Sequence, residues 1–273
     1  MQPLIDADVL RYEIGFAAET GWQAEGFPPF DYVAELFDNR IANICAITEA
    51  TAPPILYLTG KGNFRNEIAV TQKYKERPSN KPWHFNNLTA YIKGKYDWIE
   101  SSGMEADDLM AIEQTRRNGI LEGNPFYSGP TVQSIICTRD KDLRQVPGWH
   151  YGWELGMQPQ FGPLLVDVFG KLELSPDRKK LQGYGELFFW SQCLTGDKVD
   201  TVPGLEGCGP VKAFNILAGS ETSTEAFERV LEAYRALHGD NAETILLEQG
   251  RLLWMTRELN EDGSPVLWNL PNV

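Results

Sequence analysis

The chain has 273 residues and a net charge of −13, with 42% hydrophobic and 23% charged residues. That is ordinary for a soluble globular protein with a sizeable core, as one large domain or a domain with an appendage. No signal peptide or long apolar run is present, so secretion and a membrane span are not expected, and the expected location is cytoplasmic. Cys45, Cys137, Cys193 and Cys208 form no CxxC pair, and His84, His150 and His238 give no zinc spacing, which argues for free thiols in an intracellular protein.

Pro3, Leu4 and Ile5 read as a short first strand that ends in the acids Asp6 and Asp8. Residues 30–46 place Val33, Leu36, Phe37, Ile41, Ile44 and Cys45 at helical spacing. A second strand at 54–58 runs into Thr59-Gly60-Lys61-Gly62. A helix follows from 105 to about 118, and a third strand at 132–137 ends in Thr138-Arg139-Asp140-Lys141-Asp142. Strands alternating with helices predict an α/β fold, a mostly parallel central sheet flanked by helices, with its functional crevice beyond the carboxyl ends of the strands. Residues 148–177, rich in Gly, Pro and aromatics, read as loop with a short strand near 164–169. Helices are expected at 184–194, 211–217, 224–237 and 242–259. The predicted division is an α/β core over 1–182 and a helical region over 183–273.

Acidic pairs recur along this framework. Glu105, Asp107 and Asp108 fall within four residues, and Glu105 and Asp108 share a helix face. Two like charges about 4 Å apart repel by roughly 4 kcal/mol at an effective dielectric near 20, so a cation is a natural partner. The alternative is helix capping, because Ser102-Gly103-Met104-Glu105 fits a capping box. Asp140 and Asp142, like Asp6 and Asp8, are two apart and would point the same way in extended chain; a polar turn with Asp142 as a helix cap is the plainer reading. Asp197 and Asp200 add a pair three apart after an apolar helix, where turn acids are also common.

Between two helical patterns lies Val202-Pro203-Gly204-Leu205-Glu206-Gly207-Cys208-Gly209-Pro210-Val211-Lys212-Ala213. Pro210 suits a first helical turn, and a glycine hairpin here would aim backbone N–H groups at an anion such as phosphate. It is neither a dinucleotide fingerprint nor a Walker loop, and a tight interhelical turn is the alternative. Residues 73–96 hold six basic residues (Lys73, Lys75, Arg77, Lys81, Lys93, Lys95) against Glu76, interleaved with Tyr74, Trp83, Phe85, Tyr91 and Tyr96. Such a segment suits phosphate pairing and base stacking, or it is a solvated basic loop with aromatics beneath it.

Together these residues resemble the flap endonuclease superfamily of metal-dependent 5′-nucleases, particularly the phage-type 5′-exonucleases. The matching pieces fall in family order: Ile5-Asp6; Asn63-Phe64-Arg65; Tyr74-Lys75 with Arg77; Glu105-Ala106-Asp107-Asp108; Asp140-Lys141-Asp142-Leu143 with Gln145; and Thr195-Gly196-Asp197 through Ala213. Gln249-Gly250-Arg251-Leu252-Leu253 and Val266-Leu267-Trp268 look similar to the tail of the phage branch. The resemblance implies that Asp6, Glu105, Asp107 and Asp108 hold a first divalent ion and Asp140, Asp142, Asp197 and Asp200 a second, as Mg²⁺ or Mn²⁺. It implies Lys75, Arg65 and Tyr74 near the scissile phosphate and a helical arch near 66–100. It further implies a helix–three-turn–helix whose Gly204, Gly207, Gly209 and Lys212, with Arg77 of the arch, contact DNA. A potassium ion would sit at the backbone of Leu205 and Cys208. The family has an acidic ligand at the end of the second strand, where Thr59 and Gly60 stand here; either Asp8 would compensate or the first ion would bind more weakly.

The function so implied is 5′-3′ exonuclease or flap endonuclease action on DNA with a 5′ end, flap or gap, or on RNA in a hybrid. The protein would be monomeric and act in phage DNA replication or recombination, in a bacterial cytoplasm. The rival is a structure-specific DNA-binding protein of the same fold that cleaves poorly. A shorter RNA-cleaving nuclease of the PIN type would lack the glycine hairpin.

Overall fold

The computed structural model describes residues 1–75, 80–121 and 132–271. The chain divides into two compact units that are each discontinuous in sequence. The first comprises Met1–Gly62, Pro78–Lys141 and Gly148–Leu165, the second Asn63–Arg77, Asp142–Pro147 and Val166–Val273. The chain thus passes between units repeatedly, where the sequence predicts one boundary near residue 182.

In the first unit, β1 (Gln2–Asp6) has Leu4 and Ile5 fully buried, as a strand covered on both faces requires. Helix α1 (Ala7–Gly21) begins at the very next residue, because Asp6 is its N-cap and its Oδ1 accepts from the Val9 N–H at 3.0 Å. The pattern at 30–46 becomes α2 (Phe30–Ile47), which buries Val33, Phe37, Ile41 and Ile44. Strand β2 (Ile55–Lys61) follows, then α4 (Phe85–Lys95) and β3 (Asp97–Ser102). Next come α5 (Ala106–Leu121), β4 (Ser134–Cys137), β5 (Gly148–Gly152) and β6 (Phe161–Val166). The sheet order is β3-β2-β1-β4-β5-β6. All four pairings across β3, β2, β1, β4 and β5 are parallel, so the carboxyl ends of those strands share one edge. This is the mostly parallel, helix-flanked sheet that the sequence predicts. In the segment 148–177, expected as loop with a short strand near 164–169, β5 is a further strand and β6 overlaps the expected one but starts earlier, since backbone pairing beyond β4 extends the sheet there whatever the side chains prefer.

The second unit holds the short α3 (Arg65–Ile68) and the antiparallel pair β7 (Lys171–Leu174) and β8 (Leu181–Tyr184). Four helices complete it: α6 (Gly185–Thr195), α7 (Pro210–Leu217), α8 (Ser223–His238) and α9 (Ala242–Leu253). Its core gathers Phe189, Trp190, Leu217, Phe227, Tyr234 and Leu246, together with Tyr74 from the early segment. Trp268 packs edge-on against Phe189 and Trp190, with centroids 5.3 and 5.8 Å apart. It lies on Gly250, where a Cβ would come within 2.2 Å of the indole ring. Helix α9 ends at Leu253, six residues before the expected 259, because Trp254 turns extended and the final carbonyls are capped from outside the helix. Among the described residues, no helix is long and apolar enough to cross a membrane.

Candidate active site

At the carboxyl edge of the first unit's sheet, Asp6 is 2% exposed. Its Oδ2 accepts from Thr138 Oγ1 at 2.7 Å, and Thr138 Oγ1 in turn accepts the Asp140 N–H at 2.9 Å. These two bonds fix the end of β4 against the end of β1. In the first turn of α1, Asp8 accepts the Thr59 N–H at 2.9 Å with Oδ2 and pairs with Arg11 through Oδ1. A carboxylate therefore stands at the end of β2 even though that strand carries none. Thr59 Oγ1 accepts the Ala106 N–H at 2.9 Å and so caps α5. Glu105, Asp107 and the fully buried Asp108 lie at that same helix start. Here the expected capping box shifts register: Asp108 Oδ2 accepts the Glu105 N–H at 3.2 Å, so Glu105 rather than Ser102 occupies the cap position.

Burial first, and then the Asp8 and Asp140 carboxylates, push Asp6 up to about 7, against the hydrogen bonds from Val9 and Thr138. A dry carboxylate between two others is the situation a divalent cation relieves, and an all-oxygen donor set suits a hard ion such as Mg²⁺ or Mn²⁺. Among the described residues, no three His, Cys, Asp or Glu side chains converge into a ready-made cage. Mg²⁺ needs none, since it commonly keeps several waters and takes only one or two carboxylates.

In the second unit, Asp142 opens a 3₁₀ turn (Asp142–Gln145), and its Oδ1 accepts from Gln192 Nε2 at 2.5 Å. Asp197 Oδ1 accepts the Val199 N–H at 2.7 Å, a tight turn that leads to Asp200. Asp200 Oδ2 accepts from Tyr74 Oη at 3.1 Å, and Lys75 Nζ lies 3.5 Å from Oδ1. Tyr74, Lys75 and Asp200, distant in sequence, are thus in contact. Lys75 holds a left-handed backbone at φ 48°, a costly conformation that the Lys75 N–H to Asp200 O bond at 3.3 Å helps to retain.

Arg65, which the resemblance sets beside the phosphate, is held by the end of α9. It is 0% exposed, with Nε donating to Leu252 O at 3.0 Å and Nη2 to Trp254 O at 2.8 Å. A buried cation on helix C-terminal carbonyls is a cap, favoured by hydrogen bonding and by the helix dipole. Arg77 lies outside the described residues.

The glycine hairpin joins α6 to α7. Gly196 and Gly204, at φ 70° and 71°, press backbone to backbone, so a Cβ on Gly204 would sit 2.3 Å from Gly196 N. Gln249 clamps the turn, its Oε1 accepting the Gly204 N–H at 2.6 Å and its Nε2 donating to Gly204 O at 3.2 Å. Gly207 and Gly209 face open space, and Lys212 is exposed beside them at the start of α7. Leu205 and Cys208 are buried, and the Cys208 N–H donates to Leu205 O at 3.0 Å.

The basic segment is less available than its composition suggests. Lys95 Nζ, Tyr91 Oη and Tyr96 Oη all donate to Asp38 on α2, at 2.5, 2.8 and 2.6 Å, and Lys93 pairs with Glu100 at 2.6 Å. Those four residues therefore tie α4 to α2 and to β3. Trp83 stays 63% exposed and stacks on Phe27 at 4.2 Å. Sequence reasoning gave no role in the site to Thr59, Thr138, Gln192 or Gln249, although Thr59 and Thr138, each directly after an apolar strand, carried a positional signal.

No family model matches the chain. A DNA polymerase I from Rhizobium leguminosarum is 30% identical over 136 residues, 49% of this chain; the chain spans only 11% of that relative's length. Among solved structures, the chain is similar to the T5 5′-exonuclease with bound zinc ions, at a TM-score of 0.49 and 15% identity over 93% of this chain and 99% of that one. It is similar to the bacteriophage T5 flap endonuclease in a complex with DNA and metal ions, at 0.48 and 14% over 92% and 98%. The catalytic core of Rad2 in complex with DNA substrate gives 0.44 and 14% over 89% and 67%.

Proposed function

We propose that the protein is a metal-dependent nuclease that hydrolyses DNA phosphodiesters near 5′ ends, as exonuclease or flap endonuclease, in phage DNA replication or recombination. The observation that carries this is the carboxylates gathered at the strand ends: Thr138 bridges Asp6 to the Asp140 backbone and Asp8 reaches the Thr59 N–H, with burial and like charge raising Asp6. The ordered motifs of the sequence support it, as does the partial similarity to a DNA polymerase. Asp6, Glu105, Asp107 and Asp108 would hold one divalent ion, and Asp140, Asp142, Asp197 and Asp200 a second. When bound, such ions generate a nucleophilic water and stabilise the attacking and leaving oxygens.

The chain's own residues do the rest. Lys75 offsets charge on the reacting phosphate, and Tyr74 orients Asp200 through its hydroxyl. The exposed backbone at Gly207 and Gly209, with Lys212, grips duplex phosphates at the start of α7; Leu205 and Cys208 would take a potassium ion, as the resemblance implies. Arg65 is not part of this proposal.

Cleavage of 5′-labelled flap and 5′-recessed duplexes, in Mg²⁺ and in EDTA, with wild type and Asp140→Ala, tests the reading. Short 5′ fragments released only with metal, and lost in the variant, are expected. Undiminished cleavage by the variant would sink the metal assignment. The rival reading, a DNA-binding protein with weak cleavage, rests on Thr59 standing where an acid is expected. Intact binding with no cleavage under any divalent ion would favour it; the Asp8 carboxylate at Thr59 argues the other way.

A further inference from the structure

Gln192 has no part in the function so far. It is 3% exposed on α6, among the large apolar side chains Phe188, Phe189 and Trp190 of that helix. An amide there must justify the loss of its hydration, because a buried polar group costs free energy unless it is hydrogen-bonded. Half of the justification is visible: Nε2 donates to Asp142 Oδ1 at 2.5 Å. The other half is not, for Oε1 is buried with no protein partner. A glutamine kept for packing would be replaced at little cost by an apolar side chain of the same length. One that engages a carboxylate with its amide and leaves a carbonyl for a further donor is built into a polar site.

Its place on the helix adds to this. The Gln192 carbonyl accepts the Gly196 N–H at 2.7 Å and so closes the C-terminus of α6. Gly196 leads directly to Asp197, whose side chain shapes the turn to Asp200. Gln192 therefore bonds through its backbone to the segment that delivers Asp197 and Asp200, and through its side chain to Asp142, 50 residues earlier. Within the second unit it bonds to Asp142 and to Gly196, the residue directly before Asp197.

We infer that Gln192 is a positioning residue for ion binding by this set. It fixes the Asp142 carboxylate through Nε2 and presents Oε1 to a buried water. The inference rests on the metal-dependent reading above and deepens it by naming a residue that tunes affinity without being a ligand. Outer partners of this kind commonly change metal affinity by about 10–100-fold.

The test is Mn²⁺ binding to the full chain by titration calorimetry, for wild type and Gln192→Leu, with thermal unfolding in EDTA as a folding check and Mg²⁺-dependent cleavage as a second readout. Mn²⁺ affinity about 10–100-fold weaker in the variant is expected. The Mg²⁺ concentration for half-maximal cleavage should rise to match, while DNA binding in EDTA stays unchanged. If Gln192→Leu does not fold, Gln192→Met, unbranched and apolar, takes its place in the same measurements. Wild-type Mn²⁺ affinity in a folded variant would overturn the inference and leave Gln192 a packing residue. No Mn²⁺ binding by the wild type would instead overturn the metal-dependent reading, so the two failures are distinguishable.

Discussion

Replacing Arg65 with Met separates a structural from a catalytic cation. The methionine keeps most of the stem volume and removes the guanidinium, leaving Leu252 O and Trp254 O without the donors at 3.0 and 2.8 Å. Each charge-assisted bond is worth roughly 1.5–3 kcal/mol net. The cation at a helix C-terminus adds about 0.3–1 kcal/mol, and its contact with the Phe64 ring at 4.7 Å about 0.5–1 kcal/mol. Allowing for partial rehydration of the carbonyls, the expected loss is about 3–5 kcal/mol, a large share of the roughly 5–15 kcal/mol typical of a domain. Urea unfolding in EDTA, followed by tryptophan fluorescence, should show an unchanged slope. With a slope of about 2 kcal/mol/M, the midpoint falls by roughly 2 M. Arg65→Lys, which can reach one carbonyl, should lose about half as much. A wild-type midpoint in Arg65→Met, combined with collapsed DNA cleavage, would refute the reasoning and return Arg65 to the phosphate.

Three further outcomes are expected. Asp6→Asn keeps the acceptor that caps α1 at Val9 while removing a charge beside Asp8 and Asp140. Its thermal midpoint in EDTA should hold or rise while Mg²⁺-dependent cleavage drops at least about a hundredfold; a near-wild-type rate would exclude Asp6 as a ligand. Gly204→Ala should cost at least about 3 kcal/mol, because its Cβ meets backbone and its φ is positive, whereas Gly207→Ala, at φ 69° in open space, should cost only about 1–2 kcal/mol. Equal losses in denaturant would contradict the packing described. Burial opposes ionisation of Asp38, but hydrogen bonds from Lys95, Tyr96 and Tyr91 outweigh it and hold the carboxyl below its ordinary value. Its stabilisation is thus full above the unfolded-state value near 3.9 and lost as pH falls through the lower folded value. Asp38→Asn should flatten the stability curve below about pH 4, and parallel curves would dismiss the clamp.

What the sequence conveyed was periodicity and order. The buried runs of β1, β2 and β4, the stripe of α2 and the helices α6 to α9 stand within a few residues of their expected places. The exception is the early end of α9, which depends on Arg65, 187 residues away from Leu252. Helix α1 was hidden because Asp6 and Asp8 read as a strand pair facing one way. The chain turns from strand to helix between them, so Asp6 caps and Asp8 reaches across to Thr59. Strand β3, DWIESS, sits at the edge of the sheet with most residues exposed, and nothing in its composition distinguishes it from loop. The acids of the candidate site were legible as residue types. Their restraints were not, because Thr138, Thr59 and Gln192 act through contacts that only the tertiary fold creates. Composition likewise gave no sign of the partners of Tyr91, Lys93, Lys95 and Tyr96, which are Asp38, on a different helix, and Glu100, on the following strand.

The discontinuity of the second unit bears on any attempt to dissect this protein. A fragment starting at Val166 would contain α6 to α9, yet it would lack Arg65 and Tyr74. The last carbonyls of α9 would lose their donor, and a tyrosine-sized void would open in the aromatic core. Leaving out the early strip should yield a loosened, aggregation-prone species, and adding residues 63–75 back as a separate peptide should restore cooperative unfolding. The two pieces would then behave as a split protein, a ready format for reporting on whatever brings them together.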